Sequence, residues 1–266
     1  MLLAIDSGNT NTTFALLDAA GPVRGIWRTS TNSRRTADEY AVWLFQLMAL
    51  KELDRRAVKA VIIANVVPDL AFNLDRLCRA YFELKPLNVG DPDVALGIEA
   101  KVEQPAEVGA DRLVNAVAAH AAYGGPLVVI DFGTATTFDV VGARGDYLGG
   151  PIAPGINLSL EALYMAAAKL PGIAVKRPPK VIGTNTVHAM QSGVYWGYVG
   201  LIEGLVGRIE AEYRLAHPED SSRTFQVIGT GGLAPLFGEA TRAIHHLDGD
   251  LTMRGLHLIW QRNGGR

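Results

Sequence analysis

The chain contains one short pattern twice: an apolar strand, an Asp-x-Gly turn, and a return strand that ends in Thr-Thr-Phe. The first copy covers residues 3–14 and the second covers residues 129–138, about half the chain further on. Self-similarity at this separation predicts two similar halves. Each half is expected to open with a β-hairpin whose tight turn carries an acidic residue.

Strand and helix patterns alternate between and after these copies. Residues 36–39 form a capping-box sequence before a helix, residues 61–64 read as a buried strand, and residues 70–81 have helical spacing. Further helices are predicted over 109–123, from about 157, and over 186–214. We therefore predict an α/β protein with an N-terminal half, 1–115, and a C-terminal half, 116–266, connected through the helix at 109–123.

Composition limits the classes of partner. The chain has 266 residues, 48% of them hydrophobic, which is enough for a substantial core. Its net charge of −2 gives no electrostatic reason to expect nucleic acid or a membrane as partner, so any phosphate site must be built locally. Cys78 is the single cysteine, and we expect a buried thiol rather than a nucleophile. Without a disulfide, signal-peptide features or a membrane span, the expected location is the cytoplasm.

The first Asp-x-Gly turn has the chemistry of a phosphate site. Gly8 permits a sharp turn with positive φ, and the polar residues after it offer N–H and hydroxyl donors to an anion. Asp6 beside phosphate requires a cation, and Mg²⁺ prefers such oxygen ligands. The alternative is an ordinary Asp-Gly hairpin turn.

Two later segments favour the phosphate interpretation. Asp131 repeats the turn after an apolar strand, and the segment 229–232 is a glycine-rich turn from a strand into a helix, where a nucleotide can approach the backbone closely. The chain contains neither a P-loop nor the partner signatures of protein kinases.

Asp111 and Arg112 supply a carboxylate and a guanidinium side by side. Phosphoryl transfer needs positioning, charge neutralisation and a group that accepts a hydroxyl proton. Asp111 is our candidate for that base, and Arg112 is the candidate for holding an anionic group of the acceptor. The alternative is a surface ion pair at the start of a helix.

The helix predicted over 186–214 carries a stripe of glycines along one face, at positions 193, 197, 200, 204 and 207. Glycine costs about 1 kcal/mol relative to alanine inside a helix, so close approach along that face must offset the loss. Two interpretations remain open: tight packing within the same chain, or helix packing across a homodimer.

Taken together, the three turns resemble the phosphate-1, phosphate-2 and adenosine segments of the acetate and sugar kinase/Hsp70/actin superfamily. Within that superfamily the chain resembles type III pantothenate kinase over almost its whole length. The matching segments are residues 6–11, 107–112, 150–155, 168–171, 182–186, 190–193, 229–234 and 250–256. One departure is Val102, where many members have a tyrosine.

The resemblance implies two actin-like (ribonuclease H-like) halves, each a mixed sheet flanked by helices. It implies phosphorylation of the primary hydroxyl of pantothenate by ATP with Mg²⁺, in a homodimer that needs K⁺ or ammonium. The implied sites are as follows: Asp111 as base; Gly109, Ala110, Asp111, Arg112 and Thr186 (the last from the partner subunit) for pantothenate; Asp6, Ser7, Gly8, Asn9, Thr10, Asn11, Thr12, Thr13, Thr134, Gly229, Gly231 and Gly232 for ATP; Asp6 for Mg²⁺; and Asp131 for the monovalent cation.

Two other functions stay open from the sequence. One is a nucleotide-binding regulator that keeps the fold without turnover, and the other is a kinase of a different small hydroxylated substrate. Asp111 and Arg112 favour an enzyme, because a protein that only binds nucleotide needs no base.

Overall fold

The computed structural model describes residues 1–166 and 171–265, so the predicted match at 168–170 lies outside the described residues. The chain divides into two compact units. The first comprises Met1–Glu99, Glu103–Ala118 and Asp250–Arg266, and the second comprises Ala100–Val102 and Ala119–Gly249. The C-terminal segment therefore belongs to the first unit, whereas the sequence predicted a single boundary between residues 115 and 116.

The elements alternate as expected for an α/β protein. The strands are β1 Leu2–Ser7, β2 Asn11–Leu17, β3 Val23–Ser30, β4 Ala60–Asn65, β5 Leu87–Asn88, β6 Leu127–Phe132, β7 Ala135–Val141, β8 Tyr147–Gly149, β9 Ile152–Pro154, β10 Gln226–Gly231 and β11 His246–Leu247. The helices are α1 Ala37–Ala49, α2 Ala71–Tyr81, α3 Ala110–Tyr123, α4 Ile156–Ala166, α5 Thr186–Ala216, α6 Ala234–Gly238 and α7 Leu251–Arg262.

Each unit contains one mixed sheet built around a hairpin. In the first unit the order is β3-β2-β1-β4-β5, with β1 antiparallel to β2 and parallel to β4. In the second unit the order is β11-β10-β6-β7-β8, with β6 antiparallel to β7 and parallel to β10, and β9 also pairs with β7. The predicted repeat of strand, turn and strand is therefore confirmed as the centre of each sheet.

Helices cover both faces of the first sheet, because alternate residues of β1 point to opposite sides. Leu3 and Ile5 belong to a cluster with α1 and α2, whereas Leu2 and Ala4 belong to one with α3 and α7. At the contact between α3 and α7, a Cβ placed on Gly255 would lie 2.2 Å from the Val114 carbonyl oxygen. Only glycine allows that approach.

Local signals for helix ends are confirmed as well. The Thr36 side chain accepts a hydrogen bond from the Glu39 N–H, and the Glu39 carboxylate accepts one from the Thr36 N–H at 2.8 Å, which is the predicted capping box of α1. In the part of the chain that the structure describes, no helix combines the length and apolarity that crossing a bilayer requires.

Candidate functional site

The first Asp-x-Gly turn joins β1 to β2 in the first unit. Asp6 pairs with Thr13 and Ser7 pairs with Thr12, and the Gly8 N–H closes the turn on the Asn11 carbonyl at 3.0 Å. Our expectation of a positive φ at Gly8 was wrong, because its φ lies outside the left-handed region. A Cβ on Gly8 would instead lie 3.3 Å from the Asn11 oxygen, so the tight closure of the turn favours glycine.

The eight residues of this turn, 6–13, differ in what they can touch. Asn9, Thr10 and Asn11 are exposed, and Asp6 and Gly8 are half-buried, so these are the residues open to a ligand. The remaining three, Ser7, Thr12 and Thr13, are buried. Among the described residues Ser7 Oγ has no hydrogen-bond partner, which leaves an unsatisfied hydroxyl directly beneath the turn.

Asp111 lies in the first turn of α3, half-buried, with its carboxylate folded back on the start of the helix. The Arg112 N–H donates to Asp111 Oδ1 at 2.8 Å. A Cβ on Gly109 would lie only 2.6 Å from the same oxygen, so the missing side chain of Gly109 makes room for the carboxylate. This is a signal in the sequence that we interpreted only through the family resemblance.

The pKa of the Asp111 carboxyl is raised above its ordinary value. Burial is the largest cause, and the hydrogen bond from the Arg112 N–H and the positive charge of Arg112 oppose it. A carboxylate with a raised pKa holds a proton more readily, which suits a group that must accept one.

Val66 connects the start of α3 to the first turn. Its N–H donates to the Ser7 carbonyl at 3.0 Å, and its Cγ1 would be 3.6 Å from a Cβ on Gly109. The first unit thus brings the end of β1, the end of β4 and the Asp111 segment to one edge of its sheet. The carboxyl ends of parallel strands are where α/β sheets bind their ligands.

The second Asp-x-Gly turn joins β6 to β7 in the second unit. Asp131 pairs with Thr137, and the Gly133 N–H donates to the Ala135 carbonyl at 3.0 Å. Thr134, a predicted ATP contact, accepts a hydrogen bond at its carbonyl from the Gly155 N–H at 3.1 Å. The sequence match included Gly155 but did not identify this contact.

The glycine-rich segment at the end of β10 meets the second turn. Gly231 has φ +89°, and a Cβ there would lie 2.7 Å from both Asp131 Oδ1 and the Phe132 carbonyl oxygen. Gly232 is exposed, and a Cβ there would meet no described atom within 4 Å. Gly229 is buried inside the strand, where a Cβ would approach Ile244 and Leu247 at 3.2 Å, so it serves packing.

Thr186 is exposed at the first turn of α5, which Asn185 caps by accepting from the His188 N–H at 2.9 Å. The residue borders a hollow of about 710 Å³ in the second unit. The hollow is lined by Leu163, Gly183, Thr184, Asn185, Thr186, Ala189, Met190, Gly193 and Val194.

The glycine stripe of α5 does not pack against the rest of the described chain. Apart from the neighbouring backbone of α5 itself, a Cβ at Gly193, Gly197, Gly200 or Gly207 would meet no described atom within 4 Å, and one at Gly204 would meet the end of the Arg208 side chain. Close packing within the same chain, one of our two interpretations, is therefore wrong for the described residues.

Metal-binding groups are sparse. Among residues 1–166 and 171–265, no three His, Cys, Asp or Glu side chains are arranged to hold a metal ion together. The donor set fits Mg²⁺ that is carried mainly by phosphate and water oxygens, with one carboxylate such as Asp6 nearby.

Two contacts near the turns had no recognisable signal in the sequence. The Thr31 hydroxyl donates to the Gly8 carbonyl at 2.6 Å, and the Tyr198 hydroxyl lies 2.5 Å from Thr136 Oγ1. Both join residues far apart in the chain, so only the pairing of strands and the packing of α5 reveal them.

Comparison with known proteins identifies the family. The sequence model of type III pantothenate kinase matches residues 2–208. The type III pantothenate kinase of Paramagnetospirillum magneticum is 61% identical over 99% of this chain and 98% of its own length. That of Rhodospirillum rubrum is 61% identical over 99% of both chains.

Solved structures with low sequence identity share the fold. A Campylobacter jejuni protein described as a Baf family transcriptional activator matches with a TM-score of 0.61 at 19% identity, covering 99% of this chain and all of the other. A Sinorhizobium meliloti protein described as a 2-dehydro-3-deoxygalactonokinase matches with a TM-score of 0.57 at 12% identity, covering 98% and 96%. The two mixed sheets are thus the actin-like fold of sugar kinases, and by its full-length relatives the chain belongs to the type III pantothenate kinase family.

Proposed function

We propose that the protein transfers the terminal phosphate of ATP to the primary hydroxyl of pantothenate, giving 4′-phosphopantothenate in the first step of coenzyme A biosynthesis. The observation that carries the proposal is the placement of Asp111. Its carboxylate is held at the start of α3 by a hydrogen bond and by the space at Gly109, and Val66 links that segment to the end of β1. This is where a hydroxyl proton must be accepted if the first turn holds the phosphates.

Asp111 acts as the general base. Burial raises its pKa and so increases its affinity for the proton of the attacking hydroxyl, while the positive charge of Arg112 next to it opposes that rise and favours the ionised carboxylate. Gly109 and Ala110 form the backbone of the same substrate segment. Arg112 pairs with the carboxylate of pantothenate, which orients the hydroxyl for in-line attack.

The nucleotide is held by the turns. Asp6, Gly8, Asn9, Thr10 and Asn11 face the phosphates, and Asp6 would help to hold the Mg²⁺ that neutralises their charge. Ser7, Thr12 and Thr13 support that turn from beneath, which follows from their burial. Thr134 of the second turn also faces phosphate, and Gly231 and Gly232 allow the adenosine to approach the end of β10 while Gly229 shapes that strand.

Asp131 binds a monovalent cation, K⁺ or ammonium. Support comes from the place of its carboxylate near the end of β6, where Asp131 Oδ1 and the Phe132 carbonyl oxygen would both lie 2.7 Å from a Cβ on Gly231. Activity is expected to rise when K⁺ replaces Na⁺ in the assay buffer, and Asp131→Asn should weaken that response. Equal rates in the two buffers would remove Asp131 from this role.

The protein forms a homodimer in which Thr186 reaches the pantothenate of the partner subunit. Support comes from the exposed glycine stripe of α5 and from the hollow beside it. Mixing Asp111→Asn with Thr186→Ala chains, under conditions that let subunits exchange, tests the shared site. If Thr186 acts across the dimer, each mixed dimer has one intact site and about a quarter of the wild-type activity returns. If no activity returns in the mixture, Thr186 does not contribute to an active site shared between the two subunits.

ATP consumption with and without pantothenate tests the activity itself. Pantothenate should stimulate consumption, and Asp111→Asn should lower turnover about 100-fold or more while ATP still binds. Asp75→Asn is the matched control, because Asp75 is half-buried on α2 and pairs with the exposed Arg79 one turn further along that helix. ATP binding without any turnover would favour a nucleotide-binding regulator, and turnover with another alcohol alone would favour a different substrate.

The proposed setting is the cytoplasm, with pantothenate and ATP as small-molecule partners. The buried thiol of Cys78, which has no cysteine to pair with, fits a reducing compartment. The near-neutral charge supports neither nucleic acid nor a membrane surface as partner.

A further inference from the structure

The first turn is held from one side by Thr31, the residue that immediately follows β3. The Thr31 N–H donates to the Thr10 carbonyl at 2.9 Å, and the Thr31 hydroxyl donates to the Gly8 carbonyl at 2.6 Å. One residue therefore binds two of the carbonyl groups of the turn. The pairing of Asn11 with Ser30 brings Thr31 to this position.

A second hydroxyl completes the contact. Thr12 Oγ1 lies 2.9 Å from Thr31 Oγ1. Since the Thr31 hydroxyl donates its proton to Gly8, it accepts from the hydroxyl of Thr12. Thr12 is buried and Thr31 is half-buried, so water competes little for these bonds.

Fixing these carbonyls also fixes the N–H groups of the turn. In a trans peptide the C=O of one residue and the N–H of the next point in opposite directions, and the peptides after Gly8 and Thr10 are trans. The N–H groups of Asn9 and Asn11 therefore point away from Thr31. Carbonyl oxygens repel phosphate and N–H groups attract it, so the contact with Thr31 turns the attractive groups toward the open side.

The second unit uses the same arrangement at the matching position. Gly155 immediately follows β9, which pairs with β7 as β3 pairs with β2. Its N–H donates to the Thr134 carbonyl at 3.1 Å. In both units the residue that follows the strand paired with the return strand of the hairpin binds a carbonyl of the turn, and Thr31 adds a hydroxyl to that backbone contact.

We propose that Thr31 is a positioning residue for nucleotide binding, which sets the first turn through its hydroxyl without touching the substrates. The inference rests on the proposed function in one respect, that this turn receives the phosphates of ATP. It goes further in giving a specific role to a residue outside the turn and outside the matched segments.

Three variants separate this role from a general effect on folding. Thr31→Val keeps the shape and the backbone N–H but loses the hydroxyl, and Thr31→Ser retains the hydroxyl. Thr29→Val is the control, because it removes a hydroxyl from the same strand that accepts from Arg35 rather than binding the turn. ADP binding is measured by calorimetry on the full chain, with KM for ATP and for pantothenate and the melting temperature alongside.

Thr31→Val is expected to weaken ADP binding and raise KM for ATP about tenfold, with KM for pantothenate unchanged. Thr31→Ser and Thr29→Val should bind ADP like the wild type. Wild-type affinity in Thr31→Val, or equal losses for both substrates together with a lower melting temperature, would overturn the proposal. ADP binding needs no turnover. If the wild type binds ADP but does not phosphorylate pantothenate, the proposed function fails and the role of Thr31 can still be tested. If the wild type binds no ADP, both the nucleotide site and the role of Thr31 are refuted.

Discussion

Replacing Gly109 with alanine probes how finely the base must be placed. The added Cβ would lie 2.6 Å from Asp111 Oδ1, about 0.8 Å short of the 3.4 Å at which ordinary contacts begin. Val66 and Arg112 bound the same space, with atoms 3.6 and 3.7 Å from the new carbon. The methyl group has little room to move, so the carboxylate must give way.

A displacement of this size is large for catalysis. Misplacing a reacting group by about 1 Å can cost about 100-fold in rate, because the loss falls on the alignment of the transition state. We therefore expect Gly109→Ala to lower kcat by about 100-fold while KM for ATP changes by less than about twofold. The helix should still form, since the φ of Gly109 lies outside the left-handed region.

Steady-state kinetics with both substrates varied measures this effect. Gly249→Ala is the matched control, because a Cβ at Gly249 meets no described atom within 4 Å. The double variant Gly109→Ala with Asp111→Asn is the sharper test. If the new methyl group acts through the carboxylate, the double variant is no slower than Asp111→Asn alone. Full activity in Gly109→Ala, or losses that multiply in the double variant, would refute the reasoning.

Three further outcomes are expected. Because burial raises the folded-state pKa of Asp111, the stability that this carboxyl contributes is complete below its unfolded-state pKa and is lost as pH rises through its folded-state pKa. Asp111→Asn should therefore raise the melting temperature near pH 7 and leave it unchanged near pH 3. Equal shifts of the melting temperature in calorimetry at both pH values would contradict this. Burial raises the pKa of Cys78 to about 12, so iodoacetamide should label it only after denaturation, and rapid labelling of the native protein in mass spectra would count against that burial. In Gly155→Ala the new Cβ would lie 2.1 Å from the Thr134 carbonyl oxygen, so ADP affinity should fall at least about tenfold. Gly172→Ala, whose Cβ would meet no described atom within 4 Å, should leave ADP affinity unchanged, and equal affinities of the two variants in calorimetry would contradict a role for the Gly155 contact.

Local patterns in the sequence predicted most of the elements. The apolar run before each Asp-x-Gly turn, the capping box at Thr36 and the spacing of α5 act over a few residues, and each formed where it was expected. The chemistry of adjacent carboxylate and guanidinium groups suggested Asp111 as the base, and the family resemblance added the candidate role of Thr186, which no spacing rule could supply.

Features that depend on distant parts of the chain were not predictable. The direction that the glycine stripe faces depends on which side of α5 covers the sheet, and the burial of Gly229 depends on Ile244 and Leu247. The contact of Thr31 with Gly8 requires the register between β2 and β3. The positive φ expected at Gly8 is absent, and the close approach of the Asn11 carbonyl oxygen, 3.3 Å from a Cβ placed there, favours glycine instead.

The position of α7 bears on how the chain folds during synthesis. Met253, Leu256 and Ile259 complete the cluster that buries Leu2 and Ala4 of the first strand. A nascent chain on the ribosome can cover that face of β1 with α3, but the cluster stays incomplete until α7 has been translated and has left the exit tunnel. The unit that carries Asp6 and Asp111 therefore reaches its native packing after synthesis of the second unit is complete, and chains cut short before Asp250 should be recognised by chaperones or proteases.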